Sequence, residues 1–275
     1  MSARTKVIAD LRTAIDGIER RPALAGPRGA EAAGAARDGV PQAGPGTLNE
    51  IFVDGTRDAG AALGFCLMQA RGLTTPERPA VIFLQMRAEA QETGLPYGPG
   101  LAGFGLDPDA LVVVRTDTIV EMLWAMEEAA GCRNVAVAIG DFARHHKALD
   151  FTASRRLGMR AAAFGVTLMV MRYGTGREAS AAHLRWRIAA LPSADAAFDA
   201  RESGAARYAV TLEKGGRRLG GTGARPGRNF WTLEWSENGF VADTPGKRSG
   251  VASSGKPALS GADAAGLADR LSQTA

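Results

Sequence analysis

Cysteine is almost missing from this 275-residue chain, with Cys66 and Cys132 the whole complement, in no metal-binding or redox spacing. That argues against a disulfide framework, and their apolar surroundings predict two buried free thiols. Histidine is nearly as scarce, with His145, His146 and His183 alone, and no Ser/His/Asp or Cys/His arrangement can be assembled from them. Adjacent histidines on a loop face opposite ways, so His145 and His146 predict a hydrophilic loop rather than a metal centre, despite Asp141 and Asp150 nearby. Long apolar runs are absent too. Stretches such as AVIFL at 80–84 fall far short of the ~20 residues that span a bilayer. The N-terminus lacks the apolar core of a secretion signal, so no membrane association and a cytoplasmic location are expected. Nor is there a strong charge of one sign. A net charge of +4 and a pI of about 9.4 permit an acidic partner or a nucleic acid without requiring either.

Apolar residues make up 45% of the chain, enough for a sizeable core. The pattern divides it into an N-terminal helix (1–20), a flexible linker (21–45), one domain (46–241) and a tail (242–275) expected to be disordered. Within residues 4–20, Val7, Leu11, Ile15 and Ile18 recur at helical spacing. The Gly-, Ala- and Pro-rich stretch that follows sets this helix apart from the core, free to dock on it or on a partner. From residue 46, strands fit at 49–53, 80–84, 111–115, 135–139 and 166–171, alternating with helices. Thr118 and Glu121 stand in capping-box spacing at the start of one helix, and Gly165 closes another that runs from about 150 to 164. Continuous apolar strands alternating with helices imply an α/β fold, a mostly parallel sheet flanked by helices. After Arg172, LRWRIAAL, RYAVTLEK and FWTLEWSE read as strands without intervening helices, an antiparallel extension of the same sheet.

The stretch GTLNEIFVDGTRDAGAALGF (46–65) carries the main functional signal. A hydrophobic strand leads into Gly55 and Gly60, five apart, and then into an Ala-rich helix, the frame of a phosphate-binding loop. Among 35 glycines about four such pairs arise by chance, so the weight rests on the strand–turn–helix context. Where that loop has Lys and Ser/Thr, this chain has Ala61 and Ala62. Phosphoryl transfer depends on the Lys and on the metal held by the hydroxyl, so ATP hydrolysis and a resident cofactor are not expected. Weak nucleotide binding through helix-terminal N–H groups stays open. On this reading Gly55 and Gly60 serve a tight handover from strand to helix. An Asp ending a later apolar strand would complete a magnesium site. Asp141, displaced by Gly140, stands near that place and is expected to be a solvent-exposed turn residue.

Basic residues supply the remaining candidates for nucleic-acid or partner contact: Arg144, Lys147, Arg155, Arg156, Arg217, Arg218, Arg225 and Arg228. From Arg207 to Arg228 six basic residues face one acid, Glu213. A solvated or partner-facing cluster accounts for them at least as well as phosphate contact.

Beyond these features, GTLNEIFVDGTRDAGAAL resembles the opening of the RecA ATPase core, and the likeness runs in order through AVIFLQM, YGPGLAGFGLDPDALVVVR, EMLWAMEEA and NVAVAIGDFA. More narrowly, LPYGPGLAGFGLDPDALVVVRT, LWAMEEA, LDFTASRRL and SAAHLRWRIAALPS resemble the ImuA family, RecA-like partners of the ImuB mutagenesis protein, over roughly residues 46–240. The resemblance implies a RecA-like core whose loop Lys and Thr fall on Ala61 and Ala62. The RecA catalytic Glu falls near Arg87, or on Glu89 in a shifted register, and the magnesium Asp falls near Gly140 and Asp141. It implies a non-catalytic adaptor in damage-induced mutagenesis and translesion synthesis. ImuB is the direct partner it implies, with RecA and an error-prone C-family polymerase as further ones. Two rival readings are a SulA-like division inhibitor acting on FtsZ and a single-stranded DNA-binding accessory module.

Overall fold

The computed structural model describes residues 34–37, 40–193, 204–215, 229–236 and 239–242. The expected N-terminal helix, the C-terminal tail, and Arg217, Arg218, Arg225 and Arg228 lie outside the described residues. Eleven strands are described: β1 (Gly34–Arg37), β2 (Val40–Gln42), β3 (Leu48–Val53), β4 (Ala80–Met86), β5 (Leu111–Thr116), β6 (Val135–Phe142), β7 (Thr167–Tyr173), β8 (Leu184–Leu191), β9 (Arg207–Lys214), β10 (Phe230–Ser236) and β11 (Gly239–Ala242). The described helices are α1 (Ala59–Arg71), α2 (Arg87–Thr93), α3 (Gly98–Gly103), α4 (Ile119–Gly131) and α5 (Phe151–Phe164), with short 3₁₀ turns at Thr56–Asp58 and Pro108–Ala110. None of these helices is long and apolar enough to cross a membrane.

Nine strands form one sheet in the order β11-β10-β9-β8-β3-β7-β6-β4-β5. The six from β8 to β5 run parallel, and β9, β10 and β11 continue antiparallel from β8. The α/β class and the antiparallel C-terminal region therefore hold. Strand β3 lies inside the sheet, parallel to β7 on one side and β8 on the other. Its six residues LNEIFV are all buried, the polar Asn49 and Glu50 included, as befits a strand covered on both faces.

Two apolar layers cover the sheet. On one side α1 packs through Phe65, Cys66 and Ala62 against Ile51, Val53, Ile139 and Trp186, and the layer continues to Trp231 and Leu233. On the other, Met122 and Met126 of α4 and Leu157 and Ala161 of α5 meet Leu48, Leu84, Ala138 and Leu168. Helix α4 starts at a complete capping box: Thr118 Oγ1 accepts from the Glu121 N–H at 3.2 Å, and Glu121 accepts from the Thr118 N–H at 3.2 Å. Helix α5 begins with Asp150 accepting from the Ala153 N–H and ends at Gly165 in left-handed geometry (φ 73°).

The expected linker is ordered at its C-terminal end. Strands β1 and β2 pair within it, and Val40 and Ala43 are buried against the α1 layer. The cause is non-local. Gln69, on the last turn of α1, accepts from the Ala43 N–H at 2.8 Å and donates to the Pro41 carbonyl at 3.4 Å.

Candidate functional site

The loop after β3 is built around two satisfied acids. Gly55 is extended (φ −162°), the 3₁₀ turn follows, and the Asp58 N–H donates to the Gly55 carbonyl at 3.1 Å. Asp58 is buried and accepts from the Ala190 N–H of β8 at 3.1 Å. Asp54 is gripped on both oxygens by Arg187 of β8, Nε to Oδ1 at 3.0 Å and the terminal nitrogen to Oδ2. The Arg187 hydrogen bond holds the Asp54 carboxyl below the usual carboxylate range. Both acids thus tie the loop to β8, a task that adjacency in sequence does not reveal.

Ala61 and Ala62 point into the α1 layer of the core, and Ala62 is fully buried. A lysine there would have to place its ammonium among Phe65, Val53 and Trp186 neighbours, a costly burial. The expectation about the glycines needs correction. A Cβ at Gly55 or at Gly60 would meet no other atom within 4 Å, and the Gly55 backbone is one any residue adopts. Neither glycine is required by the turn.

Asp141 is likewise corrected, because it is buried rather than exposed. Its register explains why. Asp141 pairs with Met171, which pairs with Ile51, so it lies two residues below the end of β3 and two strand spacings (~9.6 Å) to the side. There Oδ2 accepts from Gln85 Nε2 at 2.9 Å and lies 3.5 Å from Thr93 Oγ1, while the Tyr173 phenol faces the same carboxylate. The Gln85 amide also donates to Thr93 Oγ1 (2.7 Å) and the Gly94 carbonyl (3.0 Å). Burial raises the Asp141 pKa, the Gln85 hydrogen bond and the facing Tyr173 phenol oppose the rise, and Glu89 nearby adds to it. Burial and the Asp141 charge together push the Tyr173 phenol above its ordinary value.

Glu89, one of the two positions matched to the RecA catalytic acid, is also buried. It accepts from the Ala143 N–H at 3.0 Å and pairs with His146 Nε2 at 2.9 Å. His146 is therefore a partner of the core, while His145, more exposed, lies 3.2 Å from Glu178. Arg87, the other matched position, pairs with Asp117 at 2.8 Å on the surface. No cluster of three or more His, Cys, Asp or Glu suited to a metal occurs among the described residues.

The basic candidates scatter. Arg144 pairs with Glu92 and Arg156 with Glu127, while Lys147 and Arg155 stand exposed. Arg207, at the start of β9, lies 3.6 Å from Glu234. The cysteines also separate: Cys66 is buried, with its thiol pushed up by burial, and Cys132 is exposed, against expectation.

One cluster had no reading at the level of sequence. Glu50, inside β3, receives Arg172 at 3.2 Å, Arg185 Nε at 2.9 Å and the Ser180 hydroxyl at 2.7 Å. Arg172, Arg177 and Arg185 also lie over the buried Phe52 ring, Arg177 closest at 4.0 Å. The available signal was an acid within a strand that is otherwise apolar but for Asn49, and a buried acid demands a cation.

No protein-family model matches the chain, and no curated protein matches it.

Proposed function

We propose that this chain is a non-catalytic RecA-like adaptor in DNA-damage-induced mutagenesis, with ImuB as its direct partner and with RecA and an error-prone C-family polymerase as further contacts. The observation that carries the catalytic half of this reading is the use made of the nucleotide positions. Ala61 and Ala62 are core side chains, and the carboxylates of Asp141 and Glu89 are engaged by Gln85, the Ala143 N–H and His146. Phosphoryl transfer needs cationic groups aimed at the phosphates and carboxylates free to orient metal or water. Here those groups are either replaced or turned to internal bonding. The adaptor role itself rests on the ImuA-like blocks, such as TASRRL and RWRIAALPS.

Arg144 and Arg156 are paired with Glu92 and Glu127, which lessens their pull on phosphate, while Lys147 and Arg155 stand exposed. The test has two arms. The purified chain should show no ATP turnover with or without single-stranded DNA. Immobilised, it should retain ImuB and leave FtsZ in the flow-through. Turnover that Gly60→Asp abolishes, or retention of FtsZ instead of ImuB, overturns the reading.

A further inference from the structure

Between α2 and β5 the chain passes over the outer face of α1, bounded by Gly94 on one side and Gly105 on the other. Both glycines hold positive φ, 77° and 74°, where only glycine rests without strain. Among the described residues, every hydrogen bond of residues 95–104 stays within 95–106. The Leu101 N–H donates to the Tyr97 carbonyl at 3.0 Å, Phe104 to Gly100 at 3.1 Å, and Leu106 to Leu101 at 3.1 Å. The nearest bond to the body is at the first glycine itself, Gln85 Nε2 to the Gly94 carbonyl at 3.0 Å. Residues 174–183, a connection of the same length, are instead bonded to β9, β3 and α5 through Arg177, Ser180 and Ala181.

Two apolar side chains hold the segment down. Leu101 is buried in the α1 layer, and the Phe104 ring lies 4.7 Å from Trp235 and 6.1 Å from Phe240 between centroids. Leu95 and Tyr97 add little, at 48% and 74% exposed. Gly64 and Arg71 mark what lies beneath. A Cβ at Gly64 would stand 2.9 Å from Phe104 Cζ, and one at Gly105 would stand 3.0 Å from Arg71 Cζ. Leu67, buried and at helical spacing from both, shares that face of α1. The covered position has a cost. Arg71 Nη1 is buried beside Gly105 without a hydrogen-bond partner among the described residues. A donor on a charged group is expensive to leave unmet, and moving the segment aside returns it to water.

We propose that residues 95–104 are a flap that swings open as a unit about Gly94 and Gly105 while the sheet and α1 stay folded. Few positions need to change their backbone angles, and a hinge of this kind requires no more. Opening hydrates the Arg71 guanidinium and uncovers Leu67 together with the Phe240 and Trp235 rings. The flap thereby sets how much apolar surface the chain presents, since α1 is buried on almost every side only while the flap is shut.

Hydrogen exchange on the native chain reads the motion. The Leu106 amide, whose bond to the Leu101 carbonyl spans the second hinge, should exchange about 100-fold or more faster than the amides of Phe65 and Leu67. Its exchange should also depend less on added urea, because a local opening exposes less surface than unfolding. A thiol placed under the flap separates swinging from fraying. In a Cys132→Ser/Cys66→Ala/Leu67→Cys chain the introduced thiol should react at a rate that follows Leu106 exchange. Cys66 in a Cys132→Ser chain should react only with global unfolding. A Leu106 amide that shares the urea dependence of the α1 amides overturns the proposal. So does an introduced thiol that reacts no faster than Cys66, whether both are slow because the flap stays shut or both are fast because α1 leaves with it.

Discussion

Gly60 and Gly64 are one turn apart in α1 and meet opposite surroundings. A Cβ at Gly60 touches nothing, whereas at Gly64 it would run into the Tyr208 hydroxyl and come within 2.9 Å of Phe104 Cζ. Gly60→Ala should be neutral or stabilising by up to about 1 kcal/mol, since it only removes backbone freedom. Gly64→Ala should cost about 1–3 kcal/mol through overpacking, read as a lower urea midpoint. Equal effects would contradict the packing described. Asp141 gives a pH-dependent counterpart. Its pKa is raised in the folded chain above the ~3.9 of an unfolded aspartate, so the fold favours the protonated form. Its contribution to stability is complete below ~pH 3.9 and is lost as pH rises through the folded value. Asp141→Asn should therefore be more stable than the native chain at pH 7.5, with the advantage shrinking toward pH 4. A loss of about 1 kcal/mol or more at pH 7.5 would instead show that the charged form is held by its hydrogen bonds. Neither behaviour was legible in the sequence. Gln85 and Tyr173, which decide the environment of Asp141, lie 56 and 32 positions away and meet it only across strands. Cys132 failed for a local reason: Ala129 and Ala130 precede it, but α4 ends at Gly131 and the polar Arg133 and Asn134 follow, which leaves the thiol in solvent.

At the scale of elements, local signals sufficed wherever one run of residues makes one element. The apolar stretches expected at 80–84, 111–115 and 135–139 begin where β4, β5 and β6 begin, and Thr118 and Gly165 cap helices as their chemistry requires. The order of strands, the pairing within β1–β2 and the short helices α2 and α3 were not legible, because each is settled by contacts distant in sequence or by too few residues. The tie between β3, β7 and β8 is of this kind. Glu50 sits buried between Arg172 and Arg185, so Glu50→Ala should cost about 2–3 kcal/mol by removing an acceptor shared by Arg172, Arg185 and Ser180, although Arg172 keeps its pair with Glu178 at 2.7 Å. Urea denaturation measures it, and a loss below about 1 kcal/mol would mean that water replaces the carboxylate. Thr118→Ala, which removes half of the α4 capping box, should cost only about 0.5–2 kcal/mol by the same measurement.

Across the whole molecule the two thiols act as opposite gauges. Cys132 should react at once with a thiol reagent in the native state, while Cys66, fully buried in the α1 layer and with its thiol pKa raised, should react only when the fold opens. Mass spectrometry should find one label within the dead time and the second only at the rate of global unfolding. Two rapid labels would mean that α1 detaches locally.

The position of β3 carries a consequence for how the chain is made. Among the described strands of the large sheet it comes first in sequence, yet it pairs with β7 and β8. About 120 residues separate the end of β3 from the end of β7, so a ribosome adding 5–20 residues per second leaves it without a strand partner for roughly 6–24 s. For that interval the nascent chain holds an unpaired strand, LNEIFV, whose Glu50 has neither of its arginines. A segment left open that long is one that a holding chaperone would protect, a demand the finished protein conceals.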